Sequence, residues 1–197
     1  MSTKRIGVDL DGVCYQWNKT ARYMLRDILP NSPYPKAGAL GLPSQTWNYI
    51  QENVSKEHWN WLWDEGVKLG LFRHGHMYPG TIKAIRDLAS FAKVIVITSR
   101  PDTAVEDTLA WVTFHRLPIS GIHILGPHVS KASVPQCDVY IDDKYENCVE
   151  LAATGATVAQ AGWEECVRNG PTPEGVVRVH SWDEFVKIAK EAPRVKR

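Results

Sequence analysis

The sequence predicts an α/β protein of the Rossmann-like, doubly wound class, and two observations carry that prediction. Four short runs of apolar, largely β-branched residues recur along the chain, at 5–8, 93–97, 122–125 and 139–141. Their apolar character is nearly continuous rather than alternating, which is typical of parallel strands covered on both faces. Helical patterns separate the runs, and strands that alternate with helices favour a parallel sheet with helices on both sides.

The remaining elements follow from local signals. Weaker strand candidates lie at 156–159 and 176–179 and would extend the sheet. A glycine after Pro79 opens one helix, and Ser181 precedes the last helix as an N-cap, because its hydroxyl can accept a bond from an early amide. The helical patterns cover residues 80–91, 103–115, 145–154 and 182–190.

Residues 16–76 interrupt this alternation. They contain no buried-strand run, but helical patterns at 18–29, 45–52 and 56–69 surround a loop rich in proline and glycine, PNSPYPKAGALGLPS. We therefore predict a core domain formed by residues 1–15 and 77–197, with residues 16–76 inserted as a helical cap.

Composition excludes several classes of protein. The chain has 23 Lys and Arg against 22 Asp and Glu, a net charge of +1, which gives no basic footprint for a nucleic acid polymer or an anionic membrane. No apolar run approaches the roughly 18 residues of a spanning helix, and no leader pattern opens the chain. The four cysteines form no CxxC pair, which disfavours a zinc site or a disulfide framework. We expect a soluble, cytoplasmic protein, and the sequence leaves a homodimer open.

Polar side chains follow the predicted strands, where ligands bind in an open parallel sheet. The set comprises Asp9 and Asp11 after the first strand, Thr98, Ser99 and Arg100 after the second, Lys131 before the fourth, and Asp142 and Asp143 after it. Carboxylates in that number suit Mg²⁺, and aspartate is a known nucleophile in phosphoryl transfer. Hydroxyls, helix N–H groups and a lysine can hold phosphate oxygens. The set therefore predicts a Mg²⁺-dependent phosphoryl-transfer site.

Four motifs in this order resemble those of the haloacid dehalogenase-like phosphatase superfamily. They are DLDGV, TSR, a lysine eleven residues before a DD pair, and the DD pair that closes a strand. Within the superfamily the likeness is closest to the 5'(3')-deoxyribonucleotidases, through PGTIKAIRDL, KASVPQCDVYIDDK and the late HSW.

The resemblance implies a role for each motif. Asp9 would be the nucleophile and Asp11 the general acid and base. The Asp9 carboxylate, the Asp11 carbonyl and one of Asp142 or Asp143 would ligate Mg²⁺, while Thr98, Ser99 and Lys131 would bind the phosphoryl group. The family commonly has a residue other than arginine after TS, so Arg100 either adds a phosphate contact or faces solvent.

Aromatic residues in and beside the insertion are candidates for substrate contact, because a nucleotide base needs an aromatic wall. Trp59 and Trp63 are four residues apart and share a helix face, whereas Trp61 points elsewhere. His74 and His76 are interpreted as hinge residues rather than metal ligands. The candidates are Tyr15, Trp17, Trp47, Trp59, Trp63 and Phe72.

A Ca²⁺ loop is a poor alternative for DxDG, because position twelve counted from Asp9 is Thr20 and a strand precedes the motif. The sequence therefore predicts a Mg²⁺-dependent hydrolase of small phosphomonoesters, with a nucleoside monophosphate, preferably deoxy, as the expected substrate. Two alternatives stay open. One is a phosphatase for a sugar phosphate or a polynucleotide 3' end, and the other is a nucleotide-binding protein without turnover.

Overall fold

A computed structural model gives the fold of residues 3–34, 48–164, 167–168 and 170–195. Its centre is a parallel sheet with the strand order β3-β2-β1-β4-β5-β6. The doubly wound class is confirmed, and so are the two weaker strands. The strands are β1 (Arg5–Val8), β2 (Lys93–Ser99), β3 (Gly121–Leu125), β4 (Val139–Asp142), β5 (Thr157–Ala161) and β6 (Val177–Val179).

The strand order reverses beside β1. The chain moves outward from β1 to β2 and β3, and then returns to place β4 on the other side of β1. Ligands of open α/β sheets bind at such a switch point, outside the carboxyl ends of the strands. The topology therefore brings the residues that follow β1 and β4 to one crevice.

The four helices predicted for the core are present, with each end within two residues of its predicted position. The Ser181 hydroxyl accepts a hydrogen bond from the Glu184 amide at 3.2 Å, which confirms the predicted N-cap. The helices are α1 (Trp17–Tyr23), α2 (Tyr49–Asn53), α3 (Lys56–Trp61), α4 (Thr81–Ala89), α5 (Val105–Phe114), α6 (Tyr145–Ala152) and α7 (Trp182–Glu191).

The described part of residues 16–76 is helical but less regular than predicted. In place of long helices over 18–29 and 56–69, α1 and α3 each run into a π-helical turn, at Met24–Ile28 and Leu62–Gly66. The two turns pack together, and Leu25 and Leu62 belong to the same apolar cluster as β1. Residues 35–47, which hold most of the predicted loop and the start of the helix predicted at 45–52, lie outside the described residues.

None of the helices in the described part of the chain has the length and apolar character needed to cross a bilayer.

Candidate active site

Three aspartates meet at the crevice beside β1. Asp9 directly follows β1, Asp142 ends β4, and Asp143 comes next in the chain. All three are buried, and one carboxylate oxygen from each lies within 4.8 Å of the others. Within the described residues this is the one group with the spacing of a metal site, so neither His74 nor His76 belongs to such a group.

Lys131 is the cation nearest to this cluster. Its Nζ lies 2.8 Å from Oδ2 of Asp9 and 2.6 Å from Oδ2 of Asp142, and the side chain is buried. Burial works to lower the pKa of Lys131, but the carboxylates of Asp142 and Asp9 outweigh burial and raise it overall. Lys131 therefore remains an ammonium ion at neutral pH.

One lysine does not neutralise three carboxylates. Burial, with Asp142 and Asp11 adding to it and Lys131 opposing it, raises the pKa of Asp9 to about 7. Burial together with the neighbouring Asp142 and Asp9 carboxylates raises the pKa of Asp143 well above its ordinary value. A divalent cation would remove this repulsion, and the all-oxygen donor set suits Mg²⁺.

The carboxylates of Asp142 and Asp143 differ in their hydrogen bonding. Oδ2 of Asp142 accepts from Lys131, and its Oδ1 accepts from the Lys144 amide and from Nδ2 of Asn147, both at 3.0 Å. Oδ2 of Asp143 is buried and has no hydrogen-bond partner in the described structure. A buried carboxylate oxygen without a partner is costly and is the arrangement a metal ligand would relieve.

Asp11 turns toward a different cation, Arg100. Nε and Nη2 of Arg100 donate to the two oxygens of Asp11 at 2.8 and 2.7 Å, and Nη1 donates to Oγ1 of Thr108 at 3.1 Å. Gly12 follows with φ of +75°, a conformation that glycine adopts without strain, and lets the chain turn away from β1. Arg100 is fully buried, so the solvent-facing alternative for this residue is wrong.

Thr98 and Ser99, the last two residues of β2, differ in their exposure to solvent. Thr98 is fully buried, and its hydroxyl has no partner among the described residues. Ser99 is exposed toward the crevice.

Two adjoining cavities open at this edge of the sheet. The first, here called the carboxylate cavity, has a volume of about 300 Å³, and the second, the aromatic cavity, about 170 Å³. Asp11, Ser99 and Lys144 line both. The carboxylate cavity is further lined by Asp9, Lys131, Asp143, Glu146, Asn147, Glu150 and the loop at 127–130, and the aromatic cavity by Trp17, Asn48, Ile50, Gln51, Trp59, Trp63 and Phe72.

Four of the six aromatic candidates line the aromatic cavity. The rings of Trp17 and Trp63 stack with centroids 6.1 Å apart, and Trp59 meets Trp63 edge-on at 5.5 Å. Tyr15 does not join them, because it is fully buried, donates its hydroxyl to the Leu71 carbonyl and packs under Arg100. Trp47 lies outside the described residues.

The structure adds residues that the sequence motifs did not single out for this site. Asn48, Ile50 and Gln51 belong to a short segment with no motif of its own, so nothing in the pattern could have marked them. Lys144 directly follows the DD pair and is the second lysine beside that motif; the spacing to the DD pair favours Lys131 as the phosphate ligand, but both lysines line the carboxylate cavity.

The parallel sheet and the carboxylate crevice at its switch point have the haloacid dehalogenase-like fold. The chain is similar to the haloacid dehalogenase-like protein SP0104 of Streptococcus pneumoniae (TM-score 0.65, 16% identity, covering 94% of this chain and 97% of that one). It is also similar to the hydrolase YfnB of Bacillus subtilis, solved with magnesium (TM-score 0.64, 11% identity, 96% and 99% covered).

Sequence comparison narrows the class to one family. The family model described as 5' nucleotidase, deoxy (pyrimidine), cytosolic type C matches residues 3–192, and the chain belongs to this family. Over 194 residues it is 25% identical to BH1399 of Halalkalibacterium halodurans, which carries a provisional nucleotidase name (92% of this chain and 90% of that protein). The protein is thus a haloacid dehalogenase-type phosphatase of the 5'-nucleotidase kind.

Proposed function

We propose that this phosphatase is Mg²⁺-dependent and hydrolyses nucleoside monophosphates, preferably deoxy, through an aspartyl phosphate on Asp9. One observation carries the proposal: the carboxylate cavity and the aromatic cavity adjoin, and Asp11, Ser99 and Lys144 line both. A phosphate in the first cavity would leave its ester substituent in the second.

The carboxylate cluster fits Mg²⁺. Asp9 and Asp143 would be direct protein ligands, because Oδ2 of Asp143 has no other partner while Asp142 is bonded to Lys131, Lys144 and Asn147. We propose Asp142 as the residue that orients Lys131. When bound, Mg²⁺ supplies positive charge to the phosphoryl oxygens and removes the repulsion between Asp9 and Asp143. The magnesium in the similar hydrolase YfnB supports this choice.

Asp9 and Asp11 divide the covalent chemistry. An Asp9 carboxylate oxygen bonds to phosphorus while the ester P–O bond breaks, and the leaving oxygen keeps the electron pair and takes a proton from Asp11. Asp11 then accepts a proton from water, whose oxygen bonds to phosphorus as the Asp9–phosphorus bond breaks. The products are an alcohol and inorganic phosphate, and both aspartates return to their starting states.

We propose that the remaining predicted phosphate ligands act together, although only Ser99 and Lys131 line the carboxylate cavity and Thr98 lines neither cavity. The partnerless hydroxyl of Thr98, the exposed Ser99 and the ammonium of Lys131 are donors that three phosphoryl oxygens could use. Arg100 is not included, because all three nitrogens of its guanidinium already donate to Asp11 or Thr108, whereas the Thr98 hydroxyl has no partner among the described residues.

The aromatic cavity is proposed as the site of the nucleobase, with residues 16–76 acting as the cap. Indole faces can stack on a base, and the side-chain amides of Asn48 and Gln51 offer both donors and acceptors to its edge. A cap that closes during attack would exclude water from the phosphorus.

The substrate assignment is tested by phosphate release from deoxynucleoside, ribonucleoside and sugar monophosphates, with Mg²⁺ and with chelator. In Trp59→Leu we expect KM for the preferred nucleotide to rise about tenfold, from the loss of one stacking contact. Turnover of deoxyribose 5-phosphate, which has neither a base nor another aromatic ring, should not change. Trp61→Leu is the matched control, because Trp61 is in the same helix and lines neither cavity.

Other outcomes would favour the alternatives. A sugar phosphate hydrolysed faster than every nucleotide would contradict the substrate assignment while leaving the phosphatase chemistry intact. Tight nucleotide binding without release of phosphate would favour a binding protein without turnover.

A further inference from the structure

Arg100 occupies an unusual position for an arginine. Its side chain is fully buried directly after β2. The guanidinium carbon lies 4.7 Å from the ring centroid of Tyr15 and 4.6 Å from that of Phe72. An arginine enclosed by two rings is held in one orientation, because its planar group stacks on aromatic faces.

The edges of the guanidinium are fixed as well. Two of its nitrogens donate to the two oxygens of Asp11, at 2.8 and 2.7 Å. The third donates to Thr108 at 3.1 Å, and Thr108 donates in turn to the Ala104 carbonyl at 2.7 Å. Arg100 thus links the Asp11 carboxylate to the first turn of α5.

This clamp leaves Asp11 accessible. A carboxylate has about four lone-pair sites, so two parallel bonds from arginine leave others open. Asp11 retains 16% of its side-chain exposure and lines both cavities, whereas Arg100 lines neither. The open side of Asp11 lies where the phosphate and the leaving group would adjoin.

We propose that Arg100 is a positioning residue, which holds the Asp11 carboxylate in the orientation that delivers its proton to the leaving oxygen. The inference rests on the proposed phosphatase chemistry of Asp9 and Asp11. In the first step an Asp9 oxygen bonds to phosphorus as the ester P–O bond breaks, the electron pair of that bond stays on the ester oxygen, and the proton of the Asp11 carboxyl group moves to that oxygen. Arg100 itself touches neither the phosphorus nor the leaving group.

The test compares leaving groups in Arg100→Lys and Arg100→Gln. Lysine keeps the charge but cannot bridge both oxygens of Asp11. We expect kcat/KM to fall about 100-fold for a deoxynucleoside monophosphate, whose alkoxide needs a proton, in keeping with the size of general acid catalysis. For p-nitrophenyl phosphate, whose phenolate leaves without one, the loss should be several-fold at most. The ratio kcat/KM depends only on the steps up to the formation of the aspartyl phosphate. The later hydrolysis of that intermediate, which is the same for both esters, therefore does not affect the comparison.

Inhibition by inorganic phosphate separates positioning from direct binding. If Arg100 only positions Asp11, the inhibition constant of phosphate stays unchanged in both variants. If Arg100 binds phosphate, that constant rises and both esters lose kcat/KM equally, which would overturn the proposal. Equal losses without a change in inhibition, together with a lower melting temperature, would assign Arg100 a purely structural role and overturn it too.

Two further variants keep the test usable if the Arg100 variants fold poorly. Thr108→Val removes the second anchor of Arg100 without touching Asp11 and should give a smaller loss with the same dependence on leaving group. Arg73→Gln removes a surface arginine paired with Asp107 at 2.7 Å and should leave the hydrolysis of both esters unaffected.

A wild-type protein that releases phosphate from neither ester would contradict the proposed function and this assignment together. Activity without leaving-group dependence in the variants contradicts this assignment alone.

Discussion

Asp9, Asp11 and Asp143 are one residue type in three surroundings, and the surroundings distinguish their proposed roles. Asp9 lies against Lys131, Asp11 is held by both edges of the Arg100 guanidinium, and one oxygen of Asp143 has no partner. The first arrangement suits a nucleophile, the second an oriented proton carrier and the third a metal ligand. The motif left Asp142 and Asp143 equivalent as metal ligands, because it does not show that Lys131 and Asn147 bond to Asp142 rather than to Asp143.

The raised pKa values of Asp9 and Asp143 predict how stability depends on pH without metal. The pKa of Asp9 rises from 3.8 to about 7 on folding, so the folded protein binds more protons than the unfolded chain between these values. Stability from these groups is therefore present at low pH and is lost as pH rises through about 7. We expect the melting temperature in chelator to fall between about pH 5 and about pH 8, and Mg²⁺ to reverse the fall.

Asp143→Asn tests the source of this effect. Removing one of the crowded carboxylates should flatten the pH dependence in chelator and weaken the stabilisation by Mg²⁺. Asp64→Asn, on the exposed surface of the insertion, serves as the control and should behave as wild type. A melting temperature that rises with pH in chelator would contradict the described electrostatics.

At the scale of elements, β1 is positioned by a close contact with β4. Gly7 pairs with Tyr140 across the two strands, and a Cβ on Gly7 would lie 2.4 Å from Cδ1 of the Tyr140 ring. The glycine lets the tyrosine ring cover β1, and the Tyr140 hydroxyl accepts from the Cys137 amide at 2.7 Å. This packing fixes the register that aligns Asp9 with the end of β4.

Gly7→Ala should therefore destabilise the fold by about 1–3 kcal/mol through overpacking. Gly121→Ala in β3 is the matched control, because no atom lies within 4 Å of a Cβ built there. Urea denaturation of both variants measures the free energy of unfolding. Equal stabilities for the two would show that the contact between Gly7 and Tyr140 does not determine the packing of β1.

Some of these elements could be predicted from the sequence and others could not. Six strands and four core helices could be predicted, because continuous apolar runs and caps are local signals. The π-helical turns at Met24–Ile28 and Leu62–Gly66 could not, since a helical period does not reveal where one extra residue enters a turn. The pairing of Arg100 with Asp11 was likewise missed, because it joins residues 89 positions apart.

At the scale of the whole molecule, topology assembles the site from distant parts of the chain. The reversal of strand order beside β1 brings Asp9, the end of β2, Lys131 and the DD pair to one crevice. Those positions were predictable because parallel strands end at a common edge. For the aromatic cavity, the sequence showed only that tryptophans are frequent in this part of the chain. The shape of the cavity could not be predicted, because it depends on how α1, α2 and α3 pack.

The central claim is that the phosphoryl group passes through Asp9, and acid-quenched turnover tests it most directly. The wild-type protein, mixed with Mg²⁺ and its preferred nucleoside monophosphate and quenched during turnover, should carry one added phosphoryl group. Peptide mass spectrometry should locate that group on Asp9, and Asp9→Asn should carry none and lose at least about 10³-fold in kcat. A phosphoryl group on another residue, or undiminished phosphate release by Asp9→Asn, would contradict the account.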